Sequence, residues 1–266
     1  MVVGTGDAVS LPTFVCEAPF TVGETVTLGE DAAHHLRVRR LDTGMRVGLV
    51  DGLGCRGAGV LTLLAKRHAT VLVDAVEMVP PLSPVHLLLP VADKDRMLWL
   101  AEKATELELT TWRPVLFRRS KHVTPRGEGP TFQQRVRGRI AAALEQSGGA
   151  WAPTVYPEAA LGAALAAAPA GVRLLLDAEG DPVSAVLARV DASGAAAKAG
   201  GEPTAAAVTI ALGPEGGIEP AERAELVAAG FIPVTLGRSI LRFETAGLAA
   251  LAVVRVASGV SAPSTS

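Results

Sequence analysis

Three prolines within six positions, Val79-Pro80-Pro81-Leu82-Ser83-Pro84, constrain this chain more than any other feature. Proline has no backbone N–H and a locked φ, and it pushes the preceding residue out of the α region, so the segment suits an extended connector. It separates two stretches of different period. Before it lie short β-segments broken by turns: Glu24 to Leu28, Arg46 to Val50 after Asp42-Thr43-Gly44, Gly59 to Leu64, and Thr70 to Val76. These predict a small β-barrel domain over residues 1–80, with the boundary at the prolines.

Beyond the connector, apolar strands and amphipathic helices alternate. A strand at Val85 to Pro90 leads to a helix from about Asp93 to Leu109, in which Met97, Leu100, Ala101, Ala104 and Leu107 recur at helical spacing. A strand at Thr111 to Phe117 precedes a helix over Phe132 to Ser147. That helix buries Phe132, Val136, Ile140, Ala143 and Leu144, presents Arg135, Arg137 and Arg139, and stops at Gly148-Gly149. Strands at Val172 to Asp177, Val208 to Leu212 and Ile232 to Leu236, with helices at Pro220 to Ala229 and Glu244 to Ala257, complete the pattern. Such alternation predicts an α/β domain over residues 81–266, its mainly parallel sheet covered by helices on both faces. The alanine-rich tracts Ala159 to Ala170 and Ala185 to Ala207 read as helix plus a loose loop and carry no function.

Cys16 and Cys55 are the only cysteines, so neither a disulfide framework nor a CxxC metal site is expected, which fits a reducing cytoplasm. No basic start with an apolar run, and no stretch of about 18 uncharged apolar residues, suggests secretion or membrane insertion. The net charge of −2 hides two basic patches. Arg113, Arg118, Arg119, Lys121, Arg126, Arg135, Arg137 and Arg139 face the single acid Glu128, and Arg37-Val38-Arg39-Arg40 follows His34-His35. Either run alone reads equally as a solvated face; the two together point to an anionic polymer.

In open α/β sheets, ligands bind outside the carboxyl ends of the strands. Two loops stand there. Leu212-Gly213-Pro214-Glu215-Gly216-Gly217 joins a strand to a helix opened by Pro220; its composition alone reads as an ordinary tight turn, and it lacks the P-loop lysine. Leu236-Gly237-Arg238-Ser239-Ile240-Leu241-Arg242 then leads to Glu244-Thr245-Ala246 and is unusually polar for its place. Glu244 near a helix N-terminus complements the dipole, which leaves Arg242 unexplained.

These two loops, with Lys103-Ala104-Thr105-Glu106-Leu107, Glu145-Gln146-Ser147 and His34-His35-Leu36-Arg37-Val38-Arg39-Arg40-Leu41, resemble the RsmE family of the SPOUT superfamily along nearly the whole chain. That family methylates N3 of a uridine in small-subunit ribosomal RNA. The resemblance implies an N-terminal PUA-like RNA-binding barrel and a C-terminal α/β domain tied in a deep trefoil knot. It also implies S-adenosylmethionine as cofactor, no metal, 16S rRNA of the 30S subunit as partner, and a homodimer. Cofactor binding falls on Leu176, Leu212, Gly213, Pro214, Glu215, Gly216, Gly217, Leu236, Gly237, Ile240, Leu241, Arg242, Thr245 and Ala246. The segment Leu174 to Glu179 supplies a third wall. RNA binding falls on His35, Arg37, Arg39, Arg40, Arg118, Arg119 and Lys121. This sequence departs from the family pattern at Gly148-Gly149-Ala150-Trp151, at Arg238-Ser239, and at Glu108, where relatives carry glycine.

Uridine N3–H is weakly acidic and must lose its proton, so the reaction needs a base or a cation that steadies the uracil anion. Arg242 is the candidate for the cation and Glu244 for orienting it or accepting the proton. The alternatives are a bracing salt bridge for Arg242 and a helix cap for Glu215. At the level of the whole protein, the alternatives are a related methyltransferase acting at another RNA position and a non-catalytic ribosome-assembly factor.

Overall fold

Strands β1 (Thr13–Val15), β2 (Thr25–Leu28), β3 (Arg46–Val50), β4 (Cys55–Leu64) and β5 (Ala69–Met78) pair in the order β1-β3-β4-β5-β2. All of these pairings are antiparallel except β1 with β3. The computed structural model describes residues 11–16, 19–120, 130–189 and 207–258. Among them the sheet is open, with β1 and β2 at its edges. Its apolar face buries Phe14, Phe20, Leu28, Val47, Leu49, Leu61 and Val71.

Helix α1 (Glu30–Val38) covers that core through the buried Ala33 and Leu36, with Ala32 partly buried beside them. The periodicity does not predict it, because only these two side chains are buried. Charge supports it instead: Glu30 and Asp31 lie in the first turn and His35 and Arg37 in the last, each complementing the helix dipole.

The chain divides into two compact units, one formed by Met1–Pro80 with Ala141–Trp151 and the other by Pro81–Ile140 with Ala152–Ser266. In the first unit the Val15 N–H donates to Glu145 Oε1 (3.2 Å) and the Gly54 N–H to the Ala150 carbonyl (2.9 Å). Trp151 Nε1 donates to the Val79 carbonyl at 2.9 Å, and its ring lies against Gly54. The departure from the family pattern at Trp151 therefore has a packing role.

The second unit is built on parallel strands in the order β12-β10-β11-β6-β7-β8, with β9 also on β7. They are β6 (Val85–Pro90), β7 (Thr111–Leu116), β8 (Thr154–Val155), β9 (Ala159–Ala160), β10 (Val172–Pro182), β11 (Val208–Ala211) and β12 (Ile232–Thr235). Buried on both faces, β6 and β11 read as the near-continuous apolar runs expected of parallel strands. Its helices are α2 (Lys94–Glu106), α4 (Leu161–Ala166), α5 (183–189), α6 (Pro220–Ala228) and α7 (Phe243–Ala257), together with α3 (Pro130–Ser147) as far as Ile140. The predicted inward face of α3 is buried at Phe132, Val136, Ile140, Ala143 and Leu144, while Arg135, Arg137 and Arg139 are exposed. On the last turns of α7, Arg255 is 5% exposed and donates to the carbonyls of Leu107, Glu108 and Ser83, joining α7 to the loop after α2.

Glu108 has φ +53°, a left-handed conformation that costs an L-residue with a Cβ roughly 1 kcal/mol. Glycine, which the family pattern places here, would adopt this conformation without that strain. Glu108→Gly is expected to raise stability by about 0.5 kcal/mol, the relieved strain being partly offset by the freer unfolded chain, as chemical denaturation would measure.

Candidate functional site

The carboxyl ends of β10, β11 and β12 open into a cleft of about 1110 Å³. Its first wall is the glycine loop after β11, where Leu212, Gly213, Pro214, Glu215 and Gly217 all line the space. The Gly217 N–H donates to the Pro214 carbonyl at 2.8 Å, closing a turn. Glu219 then caps α6 reciprocally with Glu222, so the cap falls on Glu219 and leaves Glu215 facing the cleft. Gly216 lies outside the lining, under Arg119.

The second wall is the stretch after β12. Leu236, Gly237, Arg238, Ser239, Ile240 and Leu241 line the cleft, and Phe243 and Ala246 continue it onto α7. Arg242 and Thr245 are exposed and are not part of the lining. Arg242 is the N-cap residue of α7, with neither a side-chain capping bond nor an ion-pair partner among the described residues. The bracing salt bridge considered for it is not made among the described residues.

The third wall is a bulge in β10. Leu176 and Asp181 both pair with Val234 of β12, so the residues between them leave the ladder and project over the strand ends. Leu176, Asp177, Ala178 and Glu179 line the cleft as a result. Gly180 makes this possible: a Cβ there would lie 2.3 Å from the backbone nitrogen of Val234. Asp177 accepts from Arg223 Nε on α6 at 2.6 Å and from the Glu179 N–H at 3.0 Å. Burial pushes the Asp177 carboxyl up, but these two donors outweigh it and hold it below its ordinary value.

Sequence reasoning missed two arginines that organise these walls. Arg223 steadies the bulge. Arg96, on the first turn of α2, contacts Glu215 of the glycine loop and places its Nε 3.8 Å from Glu244 Oε1. Glu244 is 9% exposed and outside the cleft lining, and its Oε2 has no hydrogen-bond partner among the described residues.

The predicted RNA-binding residues fall in both units. His35, Arg37, Arg39 and Arg40 are exposed on or just after α1 in the first, although Arg37 also donates to the carbonyls of Ala33 and Lys66. Arg118 and Arg119 follow β7 in the second and remain exposed. They face Glu219 at 3.6 and 3.7 Å, and Arg119 also donates to the Gly216 carbonyl, so they sit against the glycine loop. Lys121 lies outside the described residues.

A family model described as an RNA methyltransferase domain matches residues 80–255, which include all three walls. Ribosomal RNA small subunit methyltransferase E of Synechocystis sp. is 31% identical over 236 residues, spanning 86% of this chain and 72% of that protein. The chain belongs to the RsmE family. Its namesake from Mycobacterium bovis is 28% identical over 263 residues, covering 91% of this chain and 90% of the relative. Among solved structures, the RsmE of Neisseria gonorrhoeae bound to S-adenosyl methionine superimposes with a TM-score of 0.78 at 28% identity, covering 92% of this chain and 97% of that one. For this RsmE-family chain, no helix among the described residues is long and apolar enough to cross a membrane.

Proposed function

We propose that this RsmE-family chain transfers a methyl group from S-adenosylmethionine to N3 of a uridine in 16S ribosomal RNA of the 30S subunit, acting in the cytoplasm. The observation that carries this reading is the three-walled cleft at the carboxyl ends of β10, β11 and β12 in a chain of this family. Its volume of about 1110 Å³ suffices for a nucleoside cofactor and the base beside it. Its walls carry the carboxylates of Asp177, Glu179 and Glu215 and the guanidiniums of Arg223 and Arg238, with Arg96 against Glu215, so groups of both signs face a ligand that carries a sulfonium, an ammonium and a carboxylate. The donor set therefore fits the group. The glycine loop and the Leu236 to Leu241 stretch would hold adenosine through their backbones, and the β10 bulge would close over it. When bound, S-adenosylmethionine supplies the sulfonium methyl, so the protein needs no nucleophile of its own.

The chain's residues have two tasks left. They must align uridine N3 with the methyl carbon, and they must make its deprotonation cheap. Arg242, exposed at the rim between the cleft-lining Leu241 and Phe243, would steady the uracil anion. Glu244, two positions further on in the first turn of α7, would take the N3 proton directly or through water; its Oε2, unpartnered among the described residues, supports that role.

Arg118 and Arg119 beside the glycine loop, and His35, Arg37, Arg39 and Arg40 in the first unit, would contact RNA phosphates. On this reading the open N-terminal sheet is the core of a PUA-like barrel that carries RNA, and residues 81–266 are the SPOUT domain. The trefoil knot rests on a crossing: β12 lies outside β10, whereas α7 packs on α2, β6 and β11 on its other side. The Leu236 to Arg242 stretch must pass over the strand ends between them. The homodimer rests on exposed apolar side chains, Ile240 in that stretch at 93% and Val256 on the last turn of α7 at 81%.

Incubating the protein with unmodified 30S subunits and labelled cofactor, then mapping the label by mass spectrometry, tests this reading. Label on uracil N3 is the expected result. Label on a ribose or another base would move the chemistry to a different position, and absence of both turnover and calorimetric cofactor binding would favour an assembly factor.

A further inference from the structure

We infer that Arg96 is a positioning residue that couples the cofactor cleft to the head of α7, acting through Glu215 on one side and Glu244 on the other. The inference rests on the methyltransferase reading above and extends it to a residue outside both loops.

The placement of Arg96 is fixed from below. Asp93 caps α2 by accepting from the Arg96 N–H at 3.1 Å, so the backbone under this side chain is set by a helix N-terminus. From there the guanidinium spans two separate segments. Nη1 meets Glu215 Oε1 on the cleft wall, and Nε stands 3.8 Å from Glu244 Oε1 on the first turn of α7. The side chains of Arg96 and Glu244 are only 31% and 11% exposed, so solvent screens this contact far less than a surface ion pair.

A buried carboxylate with an unsatisfied oxygen is costly unless a cation stands beside it. Arg96 is the cation facing Glu244. Among the other groups on elements packed against α7, Lys103 of α2 is engaged by Glu102 and Glu106, and Lys94 lies over the Phe132 ring. His86 of β6 shares a hydrogen bond with Thr111, and β11 carries no ionisable side chain. One guanidinium holds two carboxylates, so its removal is felt at both, whereas loss of either carboxylate leaves the other on Arg96. Glu215 lines the cofactor cleft; Glu244 is buried on the first turn of α7, outside the lining, and is the base that the proposed reaction assigns. The planar fork of arginine lets one residue address both.

The coupling separates two quantities that purely structural packing would lose together. Four variants are measured by calorimetric titration with S-adenosylmethionine, by kcat on 30S subunits at saturating cofactor, and by thermal melting. Glu215→Gln is expected to weaken cofactor affinity about tenfold with kcat little changed, and Glu244→Gln to lower kcat about tenfold or more with affinity little changed. Arg96→Met should do both, and Arg96→Lys should recover part of each. The double variant Arg96→Met/Glu215→Gln should bind the cofactor no more weakly than Arg96→Met alone, because the contact is already lost.

Additive losses in affinity, or an Arg96→Met protein that melts normally and keeps wild-type affinity and kcat, would overturn the inference. If Arg96→Met does not fold, the Glu215→Gln and Arg96→Lys affinities decide, and wild-type values for both refute it. Failure of the wild-type protein itself to bind S-adenosylmethionine would instead overturn the methyltransferase reading.

Discussion

Arg242→Ala is expected to lower the methyl-transfer rate by about 100-fold to 1000-fold while leaving cofactor affinity within about threefold of wild type. The size follows from what the side chain would face. Deprotonated uracil places its charge on the ring nitrogen and two carbonyl oxygens, and a guanidinium at the cleft rim stabilises such charge far more than water does once the docked base excludes water there. The specificity for rate follows from position. Arg242 is exposed, forms no ion pair among the described residues and lies outside the cleft lining, so its removal leaves the cofactor walls in place. Because its side chain makes no capping bond on α7, stability should change by no more than about 0.5 kcal/mol. Arg242→Lys should recover part of the rate, since the charge survives and the bidentate geometry does not. Single-turnover kinetics on 30S subunits, calorimetry and a thermal melt check all three quantities. A melting temperature that falls in step with the rate would return Arg242 to a bracing role.

How much of this could be read in the chain depends on the range over which each interaction acts. The parallel strands Val85–Pro90 and Val208–Ala211 were legible because burial on both faces writes an unbroken apolar run. The buried face of α3 was legible because five apolar side chains recur at helical spacing. Helix α1 was not, since Ala33 and Leu36 are too few to set a period. Within the site, the second loop stood out by its polarity, whereas the glycine loop was singled out only by resemblance, since its composition reads as an ordinary turn. Arg96 could not, because its partners stand 119 and 148 positions away, and neither could Arg223, which reaches back 46 positions to Asp177. Pairing of that kind is settled by the sheet order β12-β10-β11, which brings three distant strand ends to one cleft.

The same order explains why Gly180 matters more than its sequence context suggests, and why Gly180→Ala should be the most damaging single methyl group near the site. The bulge of β10 is pressed onto β12 so closely that an added Cβ would stand 2.3 Å from the Val234 nitrogen and 2.4 Å from the Pro233 carbonyl carbon. Backbone atoms cannot rotate aside as a flexible side chain would, so β10 and β12 must separate or the bulge must re-form elsewhere. Overpacking of this sort costs about 2–3 kcal/mol, which lowers the melting temperature by roughly 4–12 °C in a chain of this size. The functional loss should exceed what that figure implies. Asp177, Ala178 and Glu179 reach the cleft only because the bulge holds them there, and the Asp177 bond to Arg223 depends on the same placement. Cofactor affinity is therefore expected to fall more than about tenfold at a temperature where the variant is still folded. Gly180→Ala would also loosen the Asp177–Arg223 pair, so a further Arg223→Gln change should weaken binding less in the variant than in the wild-type protein. A Gly180→Ala protein that melts and binds S-adenosylmethionine as the wild type does would show that the third wall tolerates displacement and that the two glycine-bearing loops alone hold the cofactor.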